Sequence, residues 1–184
     1  SPASGFSEKA RPMRRLLLTL LLAAGSAQAA IDITDDTGQA LHLAQPAKRI
    51  VSLAPHITEM LFAAGAGNQV VGAVQYSDYP EAAKKIARVG GYTSVDMEKV
   101  AALKPDLVVA WKSGNRGAHL DKLRALGIPV FINEPRRIDD VARSIAQLGK
   151  LAGTDSAGEA AAQAFRKRHA ALLAKYSARP PVRI

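Results

Sequence analysis

The chain has 184 residues, 48% of them hydrophobic and 22% charged, a balance that suits one compact unit with a real core and excludes a disordered or fibrous polymer. It has no cysteine, which excludes a disulfide scaffold, thiolate metal sites and a cysteine nucleophile. The formal charge is +9, but residues 1–29 carry a net +3 of it, and the remaining basic residues alternate with acids on helical segments, so no nucleic-acid partner is expected.

Residues 1–12 precede a credible initiator methionine and read as vector-derived residues or a mis-assigned start. Met13-Arg14-Arg15, the apolar run Leu16 to Ala24 and the small residues Ala27-Gln28-Ala29 then have the order of an export signal cleaved after Ala29. No cysteine stands at the cleavage site to take a lipid, and no later stretch reaches about 18 consecutive apolar residues. A soluble periplasmic protein is the expectation.

Ile31-Asp32-Ile33-Thr34 and Ala40-Leu41-His42-Leu43 alternate apolar and polar residues around Asp36-Thr37-Gly38, predicting an edge hairpin. Four short apolar runs follow, Arg49–Leu53, Val70–Val74, Leu107–Trp111 and Pro129–Ile132, as expected of strands buried on both faces. The segments between them are helical. Ile57, Leu61 and Phe62 share a face before Gly65, and Val100 and Leu103 precede the stop Lys104-Pro105. Leu120, Leu123 and Leu126 precede Gly127, and Ile138, Val141, Ile145 and Leu148 mark a longer helix. The fold class is therefore α/β, a parallel-sheet lobe of βαβ units spanning 30–153 with an N-terminal hairpin. Ser156 and Glu159 suggest a capping box opening a long helix to about Tyr176, given bounds of 154–178. Val182-Arg183-Ile184 reads as the first residues of another strand, so 179–184 is expected to begin a second lobe.

Catalytic and nucleotide-binding signatures are missing. Gly65-Ala66-Gly67 lacks the third glycine of a dinucleotide fingerprint, no serine has a nucleophile-elbow context, and the four histidines are too far apart for a metal-binding motif. No enzyme, cofactor or metal site is expected. His56 stands at a strand-to-helix junction, where a parallel sheet holds its ligand, although a solvated residue at a helix start is the more ordinary reading. Tyr76, Tyr92 and Trp111 each follow or end a strand, and together they could form an apolar wall for a large flat ligand.

Arg49-Ile-Val-Ser-Leu-Ala-Pro-His-Ile-Thr-Glu59 with Leu61-Phe-Ala-Ala-Gly65, and Leu103-Lys-Pro-Asp-Leu-Val-Val109, resemble the substrate-binding proteins of ABC importers that carry siderophores, haem and cobalamin. Tyr76-Ser-Asp-Tyr-Pro80 and Ala110-Trp-Lys-Ser-Gly-Asn115 are similar to stretches of the cobalamin-binding members. The resemblance covers roughly 49–184 and implies a two-lobed protein joined by one rigid helix, of which this chain holds the first lobe and the linker. It implies a corrinoid, cobalamin, as transported cargo rather than cofactor, with the importer's permease as partner, contact with the membrane only through that importer, and a monomer. By the same resemblance Tyr76 contacts the corrin ring, Trp111 and Tyr92 line the wall, and Pro55 shapes the turn beneath the ligand. Asn115 and His56 complete the ligand set, and Glu98 is the carboxylate that docks on the permease. Glu98 also reads as a first-turn carboxylate after an Asp96 N-cap, favourable to the helix dipole without any partner. Haem or a ferric siderophore is the alternative cargo, and an enzyme fragment on a chelatase-like lobe the alternative class.

Overall fold

The computed structural model describes residues 30–180. The leader over 13–29, the preceding twelve residues and the strand read at 182–184 lie outside the described residues.

Strands β1 (Ile31–Thr34) and β2 (Ala40–Leu43) pair antiparallel, with Ile31 opposite Leu43 and Thr34 opposite Ala40. Their turn is closed by Asp35, whose carboxylate accepts from the backbone N–H of Thr37 at 2.8 Å and of Gln39 at 3.0 Å, while Gly38 takes a positive φ of 84°. The hairpin is not an edge of the main sheet, as expected from sequence, but a separate two-stranded sheet. Asp36 docks it: its carboxylate accepts from the Glu134 N–H at 2.7 Å and from the Arg143 guanidinium at 3.1 Å.

The main sheet is parallel, in the order β5-β4-β3-β6-β7, built from β3 (Ile50–Ser52), β4 (Val70–Ala73), β5 (Ala87–Arg88), β6 (Leu107–Trp111) and β7 (Val130–Asn133). The four apolar runs are four of its strands. β5 carries no apolar run and pairs with β4 only, so its two residues have no strand signature in the sequence. Alternate residues serve two cores. Ile50, Leu107, Val109 and Phe131 pack on one face with α1 (Pro55–Ala63) and α4 (Ile138–Ala152), whereas Val51, Val108, Ala110 and Ile132 pack on the other with α2 (Met97–Ala102) and α3 (Gly117–Ala125).

Two helix ends follow the stops expected at Gly65 and Gly127, and Gly153 adds a third of the same kind. Gly65, Gly127 and Gly153 adopt φ of 78°, 73° and 69°, and the Asp96 side chain caps α2 by accepting from the Lys99 N–H at 3.0 Å. Two expected core residues are exposed instead. Leu126 follows Leu120 and Leu123 at steps of three, each step short of a full turn, so the third leucine has rotated off the buried face. Ile138 stands at the first position of α4, ahead of the packed turns.

The long helix α5 (Asp155–Tyr176) has 22 residues and spans about 33 Å. No capping box forms, because the helix starts two residues early: Ser156 already lies in its first turn, and Thr154 is the N-cap. The Thr154 hydroxyl instead donates to the Ala64 carbonyl at 2.7 Å, and the Gln69 side chain donates to the Ala152 carbonyl at 2.8 Å. The first bond ties the α4–α5 corner to the end of α1, and the second ties it to the turn that leads into β4. Leu172, Leu173 and Tyr176, in the last two turns of α5, are about half exposed. No helix among the described residues is long and apolar enough to cross a membrane.

α4 and α5 touch backbone to backbone where Gly149 meets Gly158: a Cβ on Gly149 would lie 2.9 Å from the Gly158 Cα. Glycine-to-alanine changes inside helices ordinarily stabilise by about 0.5–1 kcal/mol, but overpacking here costs about 1–3 kcal/mol and reverses the sign. Gly149→Ala is expected to lower stability by about 1–2 kcal/mol in a denaturant titration. A rise would show that the two helices separate freely.

Candidate ligand groove

The adjacent strands β3 and β6 send their connections in opposite directions, β3 through α1 to β4 on one side and β6 through α3 to β7 on the other. The crevice at the carboxyl ends of β3 and β6 is therefore the switch point at which open parallel sheets hold ligands. The chain places His56 and Trp111 there. Pro55 opens α1 immediately after β3, so His56 sits in the first turn of that helix, and Trp111 is the last residue of β6. Their rings meet edge to face with centroids 5.2 Å apart and planes at 86°, and Tyr92 lies on Trp111 at 6.0 Å and 46°.

Asn115 holds this cluster together. Its Nδ2 donates to the Leu53 carbonyl at 2.9 Å and to the Tyr92 carbonyl at 2.8 Å, and its Oδ1 accepts from the Trp111 N–H at 2.7 Å. The side chain is buried and fully engaged with backbone. Expected as a ligand contact, Asn115 is instead a bracket for the groups around the ligand site. Gly114 belongs to the same device, because a Cβ there would collide with the Trp111 ring.

The groove itself has a volume of about 480 Å³, within the range that accepts a small-molecule ligand. Four of its walls come from α1, where His56, Glu59, Met60 and Ala63 follow helical spacing, and α4 adds Val141 and Ile145. Trp111, Pro135, Tyr79 and Phe165 of α5 close it. Of the residues named from sequence, His56 and Trp111 line this groove and Tyr92 lies tilted against Trp111. Pro55 lies beneath, at the helix start. Tyr76 does not join them: it is 76% exposed, with a positive φ of 66°. Glu98 is exposed in the first turn of α2, on the helix layer of the other sheet face.

Tyr79, Phe165 and the α1 residues beyond His56 were missed. Tyr79 stands in the same Tyr-Ser-Asp-Tyr-Pro stretch as Tyr76, and the positions i, i+3, i+4 and i+7 from His56 were a readable stripe beside the core face. The loop carrying both tyrosines is pinned by Ser77, whose buried hydroxyl lies 3.1 Å from the Thr58 hydroxyl, itself 2.8 Å from that of Ser52. Arg88 adds a donor to the Ser77 carbonyl at 3.0 Å.

His56 is the groove's one imidazole. Its burial pushes its pKa below the usual histidine value, an effect partly opposed by the negative charge of Glu134, which the Ser113 N–H holds at 3.0 Å. Its Nε2 is buried with no hydrogen-bond partner. Among the described residues no group of three or more histidine, aspartate or glutamate side chains is arranged to hold a metal.

Two outcomes follow from this geometry. Asn115→Leu leaves one N–H and two carbonyls without partners, so a stability loss of about 2–4 kcal/mol is expected, read by chemical denaturation. A loss below about 1 kcal/mol would mean that water replaces the bracket. For His56, the unfolded chain binds the proton more readily than the folded one. Stability contributed by keeping the ring neutral is thus present above about pH 6.5 and is lost as the pH falls through the folded pKa. The thermal midpoint of the protein is expected to fall more steeply than that of His56→Gln over that acidic range; parallel curves would remove His56 from the titration.

The sequence profile of the family described as periplasmic binding protein matches residues 50–183. The chain is 39% identical over 139 residues to the vitamin B12-binding protein of Vibrio parahaemolyticus serotype O3:K6, covering 76% of this chain and 50% of that one. Among solved structures it is similar to the periplasmic vitamin B12 binding protein BtuF of Vibrio cholerae, with a TM-score of 0.71 and 39% identity over 74% of this chain and 54% of that one. It is also similar to the periplasmic heme-binding protein RhuT from Roseiflexus sp. RS-1, with a TM-score of 0.63 and 33% identity over 73% and 52%. The chain thus spans about half the length of the curated relatives it matches. A parallel sheet with its ligand groove at the switch point, a long closing helix and a profile match over most of the described lobe agree: this chain belongs to the periplasmic binding protein family.

Proposed function

We propose that the chain is the ligand-capturing first lobe, with linker helix, of an exported protein that binds a corrinoid and delivers it to an inner-membrane ABC importer. The observation that carries this reading is the aromatic wall of His56, Trp111 and Tyr92 above the switch point. Rings fixed at the end of a buried sheet offer wide apolar contact to a flat macrocycle at little entropic cost. Two of the relatives described above are named for vitamin B12. Tyr76 and Tyr79, exposed on the pinned 75–80 loop, extend the wall toward solvent, where the macrocycle's edge would meet them.

A second lobe carried beyond α5 would close over the groove and over the half-exposed Leu172, Leu173 and Tyr176. Glu98, exposed and away from the groove, would dock on the permease, leaving the ligand wall free. Cleavage after Ala29, a periplasmic location and a monomeric state belong to the same reading. Haem is the second reading, favoured by the similarity to the heme-binding protein of Roseiflexus and by the same flat wall. The periplasmic binding protein family match stands against the enzyme alternative.

Trp111 is the chain's sole tryptophan and therefore reports the site directly. Cyanocobalamin is expected to quench its fluorescence saturably, after correction for absorption by the ligand, and haem to do so more weakly. A variant Trp111→Phe provides the blank, and Tyr92→Ala is expected to weaken cyanocobalamin binding by about tenfold through loss of ring contact. Equal quenching by haem and cyanocobalamin, or none by either, would overturn the corrinoid assignment.

A further inference from the structure

Tyr79 reaches the groove without being packed into it. Its side chain lines the opening, yet the residue is 70% exposed, so its own contacts do little to fix it. Its position is inherited from the backbone that carries it, the segment joining β4 to β5. Between Val74 and β5 only Ser77 and Ala83 are buried, so the segment has little apolar surface of its own to hold it down.

Arg88 holds it by polar means. Its Nη2 donates to the Ser77 carbonyl at 3.0 Å and to the Asp78 carboxylate at 3.1 Å, and its Nη1 donates to the Ala83 carbonyl at 3.2 Å. The two carbonyls belong to the two buried residues, one on each side of Tyr79, and the carboxylate belongs to its immediate neighbour. The donors of a guanidinium fan out in a fixed plane, so a single side chain can span all three acceptors. Pairing of β5 with β4, Ala73 opposite Arg88, roots this clamp in the main sheet. The loop is also held against a local preference: Tyr76 has a φ of 66°, which a residue other than glycine adopts only where its surroundings impose it. Released from Arg88, the segment would relax and take the Tyr79 ring away from the groove.

Resting on the corrinoid reading above, we propose that Arg88, which does not itself line the groove, is the positioning residue that presents Tyr79 to the ligand. The gain is preorganisation, since a ring already in place does not have to be ordered when the ligand arrives.

A double-mutant cycle between Arg88 and Tyr79 tests it, with cyanocobalamin as the probe and Trp111 fluorescence as the readout. Tyr79→Ala and Arg88→Ala are each expected to weaken binding about tenfold, and the double variant no further, because the ring that Arg88 positions is then already gone. The corresponding cycle with Tyr92→Ala is the control. Tyr92 is held by Asn115, so its loss and that of Arg88 are expected to add, to about a hundredfold. Arg88→Lys, which keeps the charge but loses the fan of donors, is expected to weaken binding about threefold and carries the same cycles if Arg88→Ala does not fold. Losses from Arg88 and Tyr79 that add to about a hundredfold would mean that Arg88 acts other than through that ring. That result, an unchanged affinity in either single variant, or coupling to Tyr92 as strong as that to Tyr79 overturns the positioning role and leaves the corrinoid reading intact. Failure of the unaltered protein to bind cyanocobalamin overturns both.

Discussion

Asn115 joins three backbone segments that are far apart in sequence: the end of β3 at Leu53, the end of β6 at Trp111 and the loop at Tyr92. Parallel strands end without a hairpin to hold them together, so their carboxyl ends would otherwise be the least constrained part of the sheet. One side-chain amide supplies that constraint from inside. The positions of the Trp111 and Tyr92 rings, and through Trp111 the edge contact with His56, depend on it. A buried residue of this kind, engaged with backbone on three sides, fixes how the rings of the wall sit.

The opposite wall is set by close helix contact, with two side-chain hydrogen bonds at its base. Phe165 reaches the groove from α5, and α5 is positioned by the glycine pair at 149 and 158 and by the Thr154 and Gln69 bonds at its base. The groove is thus bounded by two independent devices, one polar and buried, the other a close backbone approach. Between them lies α1, whose inward stripe of Ile57 and Leu61 packs on the sheet while the adjacent stripe of His56, Glu59, Met60 and Ala63 faces the opening. One nine-residue helix therefore carries both core and site.

Much of this architecture was readable before any coordinates, because strands buried on both faces write themselves as apolar runs and left-handed helix stops write themselves as glycine. What was not readable fails for physical reasons. β5 owes its existence to pairing with β4 rather than to its own residues. The apparent box at Ser156 and Glu159 lost to a tertiary partner, since Thr154 at the true helix start is drawn to the Ala64 carbonyl. In the site, residue type announced Trp111 and His56, but whether a polar residue faces the ligand or the backbone depends on loop geometry. Asn115 is bonded inward to backbone and Tyr76 projects into solvent for that reason. Tyr79 and Phe165 entered it from segments whose folding back is a tertiary event.

The contact of Gly149 with Gly158 has a mechanical side. From Gly158 to Tyr176 the helix extends about 27 Å beyond the contact, much of it past the packed face of α4. A stiff rod held near one end acts as a lever: a tilt of about 5° at the glycine pair would carry its far end about 2 Å sideways. Because no side chain separates the two backbones at that fulcrum, there is no compressible layer to absorb such a tilt. Whatever is attached at the tip inherits its alignment from a fulcrum less than one methyl group wide.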